Sequence, residues 1–167
     1  MYDKLTENDI KKMQEEIDYR KLVVRPKELE AVKEARAQGD LSENFEYKCA
    51  KQEKNRNESR IRYLERMIRT AKVISADSGA AEVGLFDKVT IFNEMLNKEM
   101  TIQIVTTLRQ DALKGLISKE SPVGKAVLGH QVGDRVQVVV RDDLKYFVVI
   151  RSIEKGEDDA SMAISSY

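Results

Sequence analysis

The chain reads as an α+β protein: an N-terminal antiparallel coiled-coil helical hairpin, then a C-terminal antiparallel β domain with one short helix. Three observations lead there. Seven of the eight glycines fall after residue 78, and glycine is disfavoured inside helices and marks turns. Before that point apolar residues recur at helical spacing; after it they alternate with polar ones. Gly39 is the one early glycine, with helix-compatible sequence on both sides. A hairpin turning there, with arms of about 30 residues, would extend about 45 Å at 1.5 Å rise per residue.

In the first arm, Ile10, Met13, Ile17 and Val24 form a stripe that Leu29, Val32 and Ala35 continue. Pro26 interrupts it; a proline removes a donor and crowds the preceding turn, so it should kink the arm or begin a new helical segment. In the second arm, Cys49, Ala50, Ile61, Leu64, Met67, Ile68 and Ala71 share one arc. From Lys51 to Arg60 no apolar residue occurs, and Glu53, Arg56, Asn57 and Arg60 fall on the arc that should be buried. A weak point in the hairpin is expected there.

The stretch Ser75-Ala76-Asp77-Ser78-Gly79 has a linker's composition. The expected division is a hairpin over 1–75, a β domain over 80–155 and a disordered polar tail over 156–167. In the β domain, residues 88–92 and 100–105 alternate as one strand pair, and 136–140 and 146–150 as another. Between the pairs, Ser121-Pro122 opens a short helix that stops by Gly129, with serine capping and proline at the first turn.

Composition narrows the classes. Charged residues make up 35% of the chain and aromatics 6%, without tryptophan, as suits an extended helical pair with little interior. No apolar run approaches the roughly 20 residues that span a bilayer. The start lacks the apolar stretch of a secretory signal. One cysteine, Cys49, excludes an internal disulfide framework and fits a reducing compartment, with cytoplasm as the expectation. Net charge is zero overall, yet nine basic residues face four acidic ones over 44–73.

Asp40 and Glu43 stand out because they sit at the turn of the hairpin. Their spacing at a helix start fits a capping box. The alternative is a pair of hard oxygen ligands for Mg²⁺, whose shell a partner would complete. On the second arm, Lys48, Lys51, Lys54, Arg62, Arg66, Arg69 and Lys72 share an arc away from the apolar stripe. That arc is either a solvated face or a track for an anionic strand or a negative channel wall. His130 reads as a surface residue and Cys49 as packing. No Gly-rich phosphate loop, Cys-x-x-Cys pair or nucleophile elbow is present, so a self-contained enzyme has little support.

Taken together, the residues resemble the bacterial GreA/GreB transcript cleavage factor family, its GreA branch more than its GreB branch. The resemblance covers nearly the whole chain. It runs through Leu5-Thr6, Arg25-Pro26, Glu34-Ala35-Arg36, Gly39-Asp40-Leu41-Ser42-Glu43-Asn44, Glu46-Tyr47 and Arg60-Ile61, then Ile102 to Val105, Ser121-Pro122, Leu128-Gly129 and Val132-Gly133-Asp134. The resemblance implies an FKBP-like C-terminal domain that docks on the rim of the secondary channel of RNA polymerase. It implies that the hairpin enters the channel and that Asp40 and Glu43 help hold a second, weakly bound Mg²⁺ of the polymerase. No cofactor of the chain's own is implied. The polymerase would then cut backtracked RNA. Partners implied are the polymerase, the nascent RNA 3′ end and, through the elongation complex, DNA; a monomer with no membrane partner is expected.

By the same resemblance, Tyr47 is either an RNA or polymerase contact or a packing residue; Lys48, Lys51, Arg62 and Arg66, from the basic arc, are the further candidate partner contacts. Ser121 and Pro122 match the rim-docking loop. Arg56, Asn57 and Phe45 depart from the family's pattern, and the tail beyond Glu154 runs past its usual end. Two other functions remain on the sequence: a channel-binding regulator that inhibits rather than rescues, and a prolyl isomerase or chaperone built on the C-terminal domain, since fold does not carry function.

Overall fold

Cross-arm contacts set the hairpin's register. In the computed structural model, which describes residues 3–39, 44–75 and 78–165, the first arm comprises α1 (Glu7–Tyr19), a π-helical turn (Arg20–Val24) and α2 (Arg25–Ala37), and the second is α3 (Phe45–Thr70). Glu16 meets Arg60, Arg20 meets Asn57, Arg25 meets Glu58 and Ala35 meets Asn44. Numbers rising along one arm fall broadly along the other, so the arms are antiparallel.

Pro26 accounts for the π turn. Its nitrogen cannot donate to the carbonyl four residues back, and its ring crowds that turn. The chain widens instead, with the Arg25 N–H reaching the Arg20 carbonyl, and α2 begins with the proline in its first turn. A new helical segment is thus the outcome that the sequence left open.

The apolar stripe is real at the base and fails in the middle. Met13, Ile17, Ile61, Leu64 and Met67 are buried, as is Ala35 towards the tip. Val24 is only half-buried and Leu29 is exposed. Within the apolar-free stretch of α3, Asn57 and Arg60 point inward and are buried, whereas Glu53 and Arg56 are exposed and pair with each other at 3.3 Å. The interior position is filled by a network. Arg60 Nε donates to Glu16 Oε1 at 2.9 Å and its Nη2 to Oε2 at 3.2 Å. Arg20 Nε donates to the same Glu16 Oε1 at 2.8 Å, and its Nη1 to Asn57 Oδ1 at 3.0 Å. Arg25 adds a bidentate pair to Glu58 at 2.7 and 2.9 Å. Two-point guanidinium–carboxylate contacts of this kind fix geometry as well as adding energy.

The second half is a mixed five-stranded sheet, ordered β5-β4-β3-β7-β6: β3 (Lys88–Asn93), β4 (Lys98–Val105), β5 (Leu116–Ser118), β6 (Arg135–Arg141) and β7 (Leu144–Glu154). Both expected strand pairs form, and β3 joins them by pairing with β7. The sheet is not wholly antiparallel: the three-residue β5 runs parallel to β4. That strand is too short to show in the sequence pattern. The core gathers Val83, Phe86, Val89, Ile91, Ile104, Val105, Val138, Val148 and Ile150, with α4 (Pro122–Val127) supplying Val127.

The compact units divide the chain differently at its start. One compact unit consists of Met1–Asp9 and Lys72–Tyr167, and the other of Ile10–Ala71. The first residues belong with the sheet because β1 (Lys4–Leu5) pairs in parallel with β2 (Lys72–Val73), and because Arg109 is buried against them. Arg109 has no exposed surface. Its Nε donates to Asp9 Oδ1 at 2.5 Å and its Nη2 to Thr6 Oγ1 at 3.3 Å, over the Phe86 ring. Thr6 and Asp9 in turn cap each other's backbone at the start of α1.

The described part of the tail, 156–165, is likewise not free. Asp158 Oδ1 lies 2.6 Å from Arg109 Nη2, and the Asp159 carbonyl accepts from Nη1. Gly156 N–H bonds to Asp87 Oδ1 at 2.9 Å, and a side chain at Gly156 would collide with the Phe86 carbonyl. The tail contributes counter-charge through Asp158 and an apolar side chain, Met162, that packs against the sheet core.

Two outcomes test these interactions. Asp158→Ala leaves a buried guanidinium with one carboxylate fewer; removing one partner of a buried ion pair costs about 3 kcal/mol, read as a lower thermal midpoint of the sheet unit. In the hairpin, burial pushes the Glu16 carboxyl up, but Arg60 and Arg20 together outweigh it and hold it below the ordinary value. Arg25 does the same to Glu58. A depressed carboxyl lends stability above its unfolded value that is lost as pH falls through its folded one. Hairpin stability should therefore drop below about pH 4, and Glu16→Gln should flatten that drop while lowering stability at neutral pH.

Candidate functional site

The candidate site is the end of the hairpin where the two arms join. α2 closes with the Gln38 N–H on the Ala35 carbonyl at 3.3 Å. Gly39 follows with φ of 151° and no atom near the position of a side chain. Its requirement is therefore conformational, since other residues seldom adopt that backbone. Asp40 and Glu43, the proposed carboxylate pair, lie outside the described residues.

What is described is how their flanks are tied. Asn44 is the N-cap of α3: its Oδ1 accepts the Tyr47 N–H at 3.0 Å. Its Nδ2 donates across to the Ala35 carbonyl at 2.7 Å. One side chain thus caps the second arm and satisfies a last-turn carbonyl of the first. The capping-box reading of Asp40 and Glu43 lies outside the described residues; the described cap of α3 is Asn44. Asn44 was visible only as part of a motif; asparagine at a helix start is the signal that would have marked it.

Tyr47, one turn on, is half-buried, with the Arg36 guanidinium 5.9 Å from its ring centre. That places it between the arms as a packing residue. Phe45 is 75% exposed. Lys48 and Lys51 are exposed on the outer side of α3, as are Arg62, Arg66 and Arg69 further down. Arg62, Arg66 and Arg69 line a shallow cleft with Ser59, Tyr63 and Glu65, where Arg62 Nη2 donates to Ser59 Oγ at 3.1 Å and Arg66 lies 5.7 Å from the Tyr63 ring centre. Glu58 and Glu65, on the same helix, pair with Arg25 and Lys21 across the hairpin.

In the sheet unit, Ser121 caps α4. Its Oγ donates to the Ser118 carbonyl at 2.6 Å and accepts the Gly124 N–H at 3.0 Å. The hydroxyl is thus committed to the turn, leaving Pro122 exposed beside it. Gly124 is required for close approach: a side chain there would sit 2.2 Å from the Ser118 carbonyl. His130 is half exposed, its Nδ1 3.3 Å from Asp134 Oδ2. Cys49 is half-buried and free. Phe86, Phe92 and Phe147 each lie under a different arginine, Arg109, Arg151 and Arg135, so these rings do not gather into one aromatic pocket. Among the described residues, no three His, Cys, Asp or Glu side chains assemble as a metal site, and no helix is long and apolar enough to cross a membrane.

An acidic connection on a charged antiparallel hairpin, joined in sequence to a small mixed sheet with one helix, defines an α+β protein. Family models agree over both halves: residues 4–73 match the transcription elongation factor N-terminal model, and 76–155 match the GreA/GreB C-terminal model. The chain belongs to the GreA/GreB transcription elongation factor family. It is 44% identical to transcription elongation factor GreA of Caldanaerobacter subterraneus over 81% of this chain and 87% of that protein. It is 39% identical to GreA of Mesomycoplasma hyopneumoniae strain 7448 over 89% of this chain and 92% of that protein. A solved structure of the transcription factor Gfh1 aligns over 92% of this chain and 97% of its own, at 25% identity and a TM-score of 0.46.

Asn44→Ala removes both the cap and the cross-arm bond. It should lower hairpin stability by about 1–2 kcal/mol, measured by thermal or denaturant unfolding. Asn44→Asp, which keeps the capping oxygen and loses the donor to Ala35, should recover part of that loss.

Proposed function

We propose that this chain is a transcript cleavage factor for bacterial RNA polymerase. Its hairpin enters the secondary channel, and its acidic turn acts beside the polymerase's own metal centre, so that backtracked RNA is cut and elongation resumes. The observation that carries this reading is the placement of Asp40 and Glu43 in the connection between two antiparallel arms, within a chain that matches the elongation-factor models at both ends.

The chemistry follows from the residue types. Two carboxylates offer hard oxygen donors but cannot complete a Mg²⁺ shell alone, so the remaining ligands come from the polymerase and water. A second Mg²⁺ of the polymerase, when bound, supplies charge stabilisation to the attacking or leaving oxygen of phosphodiester hydrolysis. The chain's part is delivery: Asp40 and Glu43 add negative charge that favours metal retention and can orient a water. The chain itself is then an activator and not an enzyme.

The rest of the molecule supports delivery. Asn44 bonds across to the Ala35 carbonyl, tying together the described flanks of the acidic segment. The basic face of α3, from Lys48 and Lys51 to Arg62 and Arg66, suits an anionic surface along the hairpin, whether nascent RNA or the channel wall. Pro122, exposed beside the committed Ser121 hydroxyl, is the available contact of a rim-docking loop. DNA enters only as part of the elongation complex, and the protein acts as a monomer.

Adding the protein to stalled, backtracked polymerase complexes with Mg²⁺ tests the reading. Shortened RNA that can be re-extended is expected. The Asp40→Ala/Glu43→Ala double variant should lower the cleavage rate by at least about a hundredfold, the scale of losing a preorganised electrostatic contribution, with polymerase binding kept. Equal cleavage by the double variant would overturn it, and slowed elongation without shortening would indicate an inhibitor.

A further inference from the structure

Midway along the first arm the usual distribution of side chains is reversed. The inward positions are polar: Arg20 is bonded to Glu16 and Asn57, and Asn57 Nδ2 also reaches the Arg20 carbonyl at 3.4 Å. Apolar residues face out. Tyr19 is 58% exposed, Leu22 77% and Val23 51%, and no residue of the π turn Arg20–Val24 is buried. Tyr19, Leu22 and Val23 fall within about one turn of one another, so they form a single patch rather than scattered apolar atoms.

We propose that Tyr19, Leu22 and Val23 form a docking surface for an apolar protein wall of RNA polymerase, engaged when the hairpin is inserted. This inference rests on the reading of the chain as a channel-entering factor. Three arguments single out that occupant. The cations nearest the patch in sequence are engaged within the hairpin: Arg20 is paired with Glu16 at 2.8 Å, Lys21 with Glu65 at 2.6 Å and Arg25 with Glu58 at 2.7 Å. Three side chains fall well short of the roughly 800 Å² per partner that a stable specific interface buries, so a second copy of this chain would not be held by it. A small neutral patch contributes best as an added contact to a partner already held elsewhere. Its position agrees: Val23 lies about 22 Å short of Gln38 at 1.5 Å per residue, so a body that surrounds the arm while the turn acts would meet it.

The docked patch would set how firmly the hairpin is held, not the chemistry at its end. The test uses the full chain, purified bacterial core polymerase and backtracked complexes. Leu22→Gln/Val23→Gln is compared with wild type and with Leu113→Gln, a fully exposed leucine of the sheet unit. The expected result is that Leu22→Gln/Val23→Gln raises the concentration for half-maximal cleavage, and the Kd for polymerase, by at least about tenfold. Its cleavage rate at saturation should match wild type, and Leu113→Gln should change neither. Circular dichroism and a thermal midpoint at or above that of wild type establish that the variant hairpin is folded; if they do not, Leu22→Ala/Val23→Ala, which keeps helix-compatible side chains, is read in its place. An unchanged Kd overturns the proposal. So does sedimentation of wild type as a dimer that the substitutions dissolve, which would make the occupant a second copy. If wild type binds polymerase and cleaves but the patch variants equal it, this inference alone fails; if wild type neither binds nor stimulates cleavage, the functional reading fails and takes the inference with it.

Discussion

Glu16, held from two sides by Arg60 and Arg20, is the interaction on which the hairpin depends. Two helices with few apolar residues between them could slide by a turn at little cost. A carboxylate bonded to guanidinium groups from both arms removes that freedom, because slippage would leave Arg60 buried and unpaired. Asn57 and the Arg25–Glu58 pair repeat the constraint further along. Stability at the base comes from apolar burial of Met13, Ile17, Ile61 and Leu64, while register comes from charge. The segment expected to be weakest is therefore the segment that specifies how the arms align.

The sheet unit applies the same device at Arg109. A wholly buried guanidinium gathers Asp9 and Thr6 from the start of the chain and Asp158 and Asp159 from its tail. Strands β1 and β2 are only two residues each and could not persist on their own ladder. The ion cluster and the packing of Leu5 hold them. Residues 156–165 lie outside the stretch matched by the family model, which ends at residue 155, yet they complete this cluster.

Much of the fold was legible because it follows from periodicity. The spacing of Met13, Ile17, Ile61, Leu64 and Met67 gave the arms, and alternation over 88–92, 100–105, 136–140 and 146–150 gave four strands. Ser121 and Pro122 gave α4 through local capping chemistry. What stayed hidden was non-local. A three-residue parallel strand has no period to read, and the attachment of the first nine residues to the sheet depends on an arginine about 100 positions away. At the candidate site, Asp40 and Glu43 stood out by residue type at the turn. Asn44 did not, because its second hydrogen bond reaches a carbonyl on the other arm. The exposure of Leu22 and Val23 was equally unreadable, because the inward positions beside them are held by the polar Arg20 and Asn57.

The account's central claim is that the chain supplies oxygen ligands to a metal that the polymerase holds weakly. The most direct measurement is the Mg²⁺ dependence of RNA cleavage in backtracked complexes, with and without saturating protein. The account predicts that the protein shifts the half-maximal Mg²⁺ concentration several-fold lower. If the protein raises the rate at every Mg²⁺ concentration by the same factor and leaves the midpoint in place, metal retention is not what it contributes.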